Sequence, residues 1–287
     1  MTIQTPVGWV WDRMAQAGNT VGAARPDEYW PHAGVAPAVP LVRRIGAADL
    51  RYALRRGLED FAANRTEVIF LCLIYPLIGL ILGQLASGNG FAPMLFPLAS
   101  GFVLIGPFAA VGLNEMSRRR ELGEQVSWTD AFGVLRSPAI GAIVLLGLLL
   151  IAMFLVWMVA ASVIYNVTLG PLPPVSLAAF AHDVFATGPG WAMIALGVGV
   201  GFLFAVAVLA VSVVSFPLLL DQNVRLDTAV STSIHVVTVN PGTMALWGLI
   251  IAGALVLGSI PFLVGLVVVL PVLGHATWHL YRRVVPR

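Results

Sequence analysis

Long apolar runs alternate with short polar segments along most of this chain. Apolar runs occupy residues 68–86, 92–114, 139–163 and 190–219. Each has roughly the 20 residues that a helix needs to cross ~30 Å of hydrocarbon. A further apolar block, 242–280, contains no Asp, Glu or Arg in 39 residues. It is too long for one tilted span and just long enough for two, broken at Gly258-Ser259-Ile260-Pro261. The pattern predicts an all-α transmembrane bundle of six spans in three hairpins, the last two spans at about 242–258 and 261–280.

The polar segments have patterns of their own. Residues 46–63 place Leu50, Ala53, Leu54, Leu58, Phe61 and Ala62 at spacings of three and four, which predicts an amphipathic helix. Arg51, Arg55, Arg56, Glu59 and Asp60 fall on its other face. Such a helix beside a span lies in the headgroup plane or packs on a partner. Residues 1–40 carry Pro26, Pro31, Pro37 and Pro40, with Trp9, Trp11, Tyr29 and Trp30 among them. The expected organisation is an irregular tail (1–40), an amphipathic interfacial segment (41–66) and a membrane domain (67–283).

Composition reinforces this reading. The 287 residues are 59% hydrophobic and 10% charged, against about 25% charged in soluble domains. A water-facing surface cannot be assembled from so few charges. A net charge of +2 gives no reason to expect nucleic acid as a partner; the lipid bilayer is the expected one. The 16 basic residues are all Arg, and every one falls before the first span, between the second and third, between the fourth and fifth, or after the sixth. With six spans, the positive-inside rule puts all of them and both termini in the cytoplasm. The loops at 87–91 and 164–189 contain no Arg and are expected outside. The first 40 residues lack an apolar stretch of signal-peptide length, so the first span is expected to act as an uncleaved signal-anchor in a bacterial inner membrane.

Candidate chemistry gathers near three prolines, Pro107, Pro217 and Pro271, one in each even-numbered span. Asn114 and Glu115 follow the first, Asp221 the second, and His275 and His279 the third. Proline frees a backbone carbonyl and kinks a helix, so polar groups about a turn or two away have a reason to collect there. If the hairpins share an axis, these five residues form a cytoplasmic-side polar cluster. It reads as a proton or ion relay, or as a metal site built on the i, i+4 pair His275/His279 with carboxylates. The simpler reading is that these groups reach water or headgroups at helix ends, Glu115 pairing with Arg118 or Arg119. A faint repeat accompanies the layout: Ala53 and Ala229 each stand 11 residues before Asn64 and Asn240, and Trp128–Ser137 is a shorter middle copy. Gly79-x-x-x-Gly83 and Gly197-x-x-x-Gly201 permit close helix contact, within the chain or between copies. His182-Asp183 is the ionisable pair of the outer loop. Cys72 is the one cysteine, which excludes an internal disulfide. No nucleotide-binding, haem-attachment or nucleophile motif is present, so no cofactor or catalytic residue is expected.

The stretch Gly106-Pro107-Phe108 through Gly112-Leu113-Asn114-Glu115, continuing Ser117-Arg118-Arg119-Arg120-Glu121 and Gly123-Glu124, resembles a bacterial integral-membrane family, domain of unknown function 2189. The blocks Ala53–Phe61 and Leu270–Arg282 look similar to others in that family, so the resemblance covers about residues 40–285. It implies an inner-membrane protein and carries no established catalytic residues. Some members bear labels as cytochrome oxidase subunits, which makes a respiratory complex one candidate partner. The expected function is a non-enzymatic accessory, assembly or scaffold component of a membrane complex. The alternative is a small-solute or proton-coupled transporter using the polar cluster.

Overall fold

The computed structural model describes residues 40–63, 84, 92–172, 174–261 and 263–286. The N-terminal tail, the first expected span apart from Gln84, with Cys72 and the Gly79/Gly83 pair, and the 87–90 turn therefore lie outside the described residues. Among those described, the regular structure is helical, with no strand. The helices are α1 (Ala47–Ala63), α2 (Leu95–Ala109), α3 (Val111–Glu121), α4 (Ile140–Thr168), α5 (Leu177–Ala186), α6 (Gly188–Ser212), α7 (Ser215–Gln222), α8 (Leu226–Val239), α9 (Pro241–Ser259) and α10 (Leu266–Val284). Short 3-10 segments cover Ala92–Met94 and Trp128–Arg136.

Among the described residues, three helical stretches are long and apolar enough to cross a membrane: Ile140–Thr168, Gly188–Gln222 and Pro241–Ser259. They coincide with the third, fourth and fifth expected spans. Helix α4 shows why. A stripe of Ile143, Leu146, Leu150, Trp157, Ala161 and Ile164 is buried against neighbours, while Leu145, Leu148, Leu155 and Val159 are exposed. Both faces are apolar, as required of a helix solvated by lipid on one side and protein on the other. The same apolar exposure recurs on α6 at Phe202 and Leu203 and on α9 at Leu249, Val256 and Leu257.

The second expected span is interrupted, with α2 ending at Ala109 and α3 starting at Val111 just after Pro107. The fourth is interrupted at Val213-Val214, in the turn preceding Pro217. There the proline removes an intrahelical hydrogen bond and crowds that turn; the break at Ala110 falls three residues after Pro107, where this effect does not reach. Pro271 lies inside α10, which continues through it. The turn of the last hairpin also falls later than expected. Helix α9 runs through Ser259, and α10 resumes at Leu266 rather than 261. The two backbones meet at glycines: a Cβ on Gly265 would lie 2.7 Å from the Gly258 carbonyl oxygen. Between them Leu263 takes a left-handed φ of 66°.

Three polar segments pack on helix ends. Helix α1 lies along α10, the 128–136 segment along α3, and α8 along α6 and α7. Small residues allow each approach. A Cβ on Gly57 would come within 2.7 Å of the Ala276 amide nitrogen, and one on Gly112 within 3.1 Å of Ala131. In the third, the Ser215 hydroxyl donates to the Ala229 carbonyl at 3.1 Å. Ala53 and Ala229, the repeat positions, are both fully buried. The N-terminal strap of α1 is tied to two other elements. Ile45 N–H donates to Asn240 Oδ1 (2.8 Å), Thr243 Oγ1 donates to the Ile45 carbonyl (2.9 Å) and Arg43 N–H to the Val284 carbonyl (2.8 Å).

Three expectations for α1 need correction. Leu58 and Ala62, assigned to the apolar face, are exposed, Leu58 at 53%, and Asp60, assigned to the polar face, is 1% exposed. The buried arc is Asp49, Leu50, Ala53, Gly57, Asp60 and Phe61. It is turned by the close contact at Gly57, which brings Asp60 rather than Leu58 against α10. At the opposite, Arg-free end, the expected loop is partly helical. Ser176 caps α5 by accepting from Ala179 N–H at 3.1 Å, and Thr187 caps α6 through Gly190 N–H at 3.1 Å.

Candidate functional site

The charged end of the molecule is assembled by α1, α3, α7 and the C-terminal half of α10. Its centre is Asp60. Oδ2 accepts from Ser117 Oγ at 2.6 Å and lies 2.8 Å from His279 Nε2, while Oδ1 is 3.2 Å from Arg120 Nη1. Ser117 Oγ is also 2.8 Å from His275 Nδ1. A serine hydroxyl has one proton, and here it goes to Asp60. His275 must then donate from Nδ1, which leaves Nε2 as the ring's acceptor. That Nε2 is buried and makes no hydrogen bond. The result is a continuous chain, His279–Asp60–Ser117–His275, in which all four side chains are buried. Burial works against ionisation of Asp60. The hydrogen bonds from His279 and Ser117 outweigh it and hold the carboxyl below its ordinary 3.8.

The expected cluster is therefore only partly assembled as a unit. His275 and His279 are joined, but the carboxylate between them is Asp60 from α1. Glu115 instead turns to arginine. Arg118 grips it with Nε at 2.7 Å and Nη2 at 2.9 Å, and Arg119 Nε adds a third bond at 2.7 Å. Arg119 continues to Asp130 at 2.8 Å. Asp221 accepts from the Tyr281 hydroxyl at 2.8 Å and lies 3.6 Å from Arg282 Nη1. Asn114 is buried beside Glu115, with its Oδ1 unbonded. Sequence periodicity missed Ser117, Asp60 and Tyr281. The signal for Asp60 was there, since it stands seven residues after Ala53 and three after Gly57, inside the small-residue arc.

No group of three or more His, Cys, Asp or Glu among the described residues is placed to hold a metal ion. The zinc-like set of the two histidines with Glu115 or Asp221 is not formed, because each carboxylate is directed to other partners. His182 and Asp183 at the other end are exposed and 3.7 Å apart. The Gly197/Gly201 pair divides as well. A Cβ on Gly201 would lie 3.2 Å from the Trp157 ring, whereas one on Gly197 meets nothing within 4 Å.

Arginine and carboxylate alternate over the rest of this surface. Glu121 accepts from Trp278 Nε1 at 2.8 Å and Arg282 Nε at 3.0 Å. Asp49 accepts from Arg283 Nε at 2.7 Å and lies 3.4 Å from Arg43. Burial, opposed by the Gly46 N–H and the arginines, leaves the Asp49 carboxyl below its ordinary 3.8. Residues 95–221 match the model of a family described as predicted integral membrane protein, DUF2189. The Gly106–Glu124 motif block lies within the match. No curated protein and no solved structure matches the chain.

Proposed function

We propose that this integral membrane protein is a non-enzymatic accessory, assembly or scaffold component of a larger membrane complex. In this reading it sits in a bacterial inner membrane as six spans in three hairpins, with both termini cytoplasmic. The observation that carries it is the mutual neutralisation of the charged end. Glu115 is held by two guanidiniums, and Glu121, Asp49 and Asp60 each have an arginine partner. Groups fixed this way specify how helices meet rather than cycle through protonation states. Packing supports the hairpin arrangement. Each polar segment docks on the second helix of the hairpin before it, and α1 closes the series on α10, the last. Purification in mild detergent after in-cell crosslinking should retain a stoichiometric membrane partner. Recovery of the monomer alone would overturn the reading. A C-terminal reporter should be active in its cytoplasmic form; periplasmic activity would overturn the topology.

One observation favours the second reading, proton-coupled transport of a small solute. The chain His279–Asp60–Ser117–His275 runs from the edge of a surface cleft to a buried, unbonded ring nitrogen. Such a wire is what proton movement needs at a membrane surface. Proteoliposomes with an imposed pH gradient would show proton flux that Asp60→Asn abolishes. Absence of flux in the parent protein removes this reading.

A further inference from the structure

Helix α5 stands between two membrane-length helices and is pinned to both. Thr187 ends α5 and caps α6, so a single residue joins them. Gly190, in the first turn of α6, is buried beneath the Asp183 and Val184 carbonyls and has no room for a side chain. The Trp191 indole N–H donates to the Phe185 carbonyl at 3.2 Å. The Tyr165 hydroxyl, in the last turn of α4, donates to the Leu172 carbonyl at 2.8 Å. Phe180 packs on the Tyr165 ring with centroids 6.4 Å apart, and Val184 is buried. These contacts account for the side of α5 that meets the protein.

Another side is left uncovered. Leu177, Ala181 and Phe185 recur every four residues and so form one stripe. All three are exposed, Phe185 at 66%. Leu172 and Val175, in the approach to the helix, are exposed as well, Val175 at 98%. The helical period puts Asp183 on the opposite side from the stripe. Contiguous exposed apolar surface marks a contact site. We propose that α5 is an interfacial helix whose Leu177–Ala181–Phe185 stripe lies in lipid, at the boundary between headgroups and acyl chains, with Asp183 turned to water. Three observations select lipid over a protein partner. Helix α5 is one residue from α6, so it lies at a span end, where the bilayer surface is. The neighbouring span ends are exposed and apolar too, at Val167 in the last turn of α4 and Trp191 in the first turn of α6. Tyr165 and Trp191, whose polar tips tie down the loop, are the residue types that gather at membrane–water boundaries. Residues 164–189 contain no Arg, so attachment rests on apolar area and not on attraction to anionic headgroups. The inference goes beyond the scaffold and transporter readings and is compatible with either.

The test is nitroxide accessibility in phosphatidylcholine vesicles. Cys72→Ser removes the one native cysteine, and Leu177→Cys, Phe185→Cys and Asp183→Cys are then introduced singly and labelled. Val159→Cys, on the exposed face of α4, supplies the lipid-facing reference. At positions 177 and 185, collisions with oxygen, which partitions into acyl chains, should exceed those with a water-soluble nickel chelate severalfold. At position 183 the order should reverse. Adding phosphatidylglycerol should leave these ratios unchanged. Nickel-dominated collisions at 177 and 185 would place the stripe in water and overturn the proposal. Exclusion of both reagents there would place it against another protein or a second copy, and overturn it equally. If either large-residue variant fails to fold, Ala181→Cys, a small replacement in the same stripe, decides by the same criterion.

Discussion

Replacing Asp60 by alanine tests the hub directly. The carboxylate is buried and accepts from Ser117 at 2.6 Å and contacts His279 at 2.8 Å, both partners also buried. Net hydrogen bonds to charged groups contribute about 1.5–3 kcal/mol each, so the two together hold about 3–6 kcal/mol. The Arg120 ion pair adds little, since Arg120 is 36% exposed and water screens it. Removing the carboxylate also removes its own dehydration penalty, which lowers the sum. The expected loss is about 3 kcal/mol. It would be read by unfolding in mixed micelles with rising dodecyl sulfate, followed by near-ultraviolet circular dichroism. Asp60→Asn, which keeps one acceptor oxygen but not the charge, should fall between. A double-mutant cycle with His279→Ala should give a coupling of about 1–3 kcal/mol. A loss below about 0.5 kcal/mol, or additive single mutants, would refute the assignment of Asp60 as the hub.

Acid should act through the same group. Because Asp60 and Asp49 are both held below 3.8, their contribution is complete above that value. It fades as pH falls through the lower folded-state values, so an unfolding titration against pH should lose this component in Asp60→Asn. Gly57→Val should lose about 1–3 kcal/mol in the same unfolding assay by overpacking, because its Cβ would meet the α10 backbone at 2.7 Å. Gly201→Leu should destabilise through the Trp157 ring at 3.2 Å, while Gly197→Leu, with nothing within 4 Å, should leave the unfolding midpoint unchanged. Trp157→Phe should lose about 0.5–1.5 kcal/mol on the same scale, since the indole N–H donates to Ser100 Oγ at 3.1 Å and the Pro97 carbonyl at 3.2 Å.

Hydropathy was enough to place α4, α6 with α7, and α9, because a lipid-facing helix announces itself by composition alone. Boundaries set by backbone sterics were less legible. The turn after α9 depends on two glycines seven residues apart, Gly258 and Gly265, touching across the hairpin, and only one of them lay in the expected turn. The polar cluster was legible as a location but not as a set of partners. Glu115, Asp221 and the histidines do lie at the same end. Which carboxylate meets which histidine, however, depends on the rotation of α1. Its rotation is set by Gly57 against Ala276, a contact between residues more than two hundred positions apart that no local periodicity encodes.

The distribution of specific contacts has a physical reason. Lipid chains are as apolar as leucine, so burying a span against another span gains little from the hydrophobic effect. Within the apolar belt the protein therefore relies on close approach: Gly147 against Phe108 at 2.6 Å and Gly274 against Leu113 at 2.6 Å, measured to a built Cβ. At the charged end water is accessible, and apolar burial regains its value. There Leu50, Ala53 and Phe61 of α1 are buried together with Trp278, Leu280 and Tyr281 of α10. The same contact places Asp60 against Ser117 and His279. Packing and the buried hydrogen-bond chain thus both depend on one helix-helix interface. A substitution at Gly57 that lifts α1 should disturb both together, whereas Asp60→Asn should disturb the hydrogen-bond chain and leave the packing of α1 on α10 in place. If Gly57→Val left the coupling between Asp60 and His279 intact, the hydrogen-bond chain would not depend on that interface.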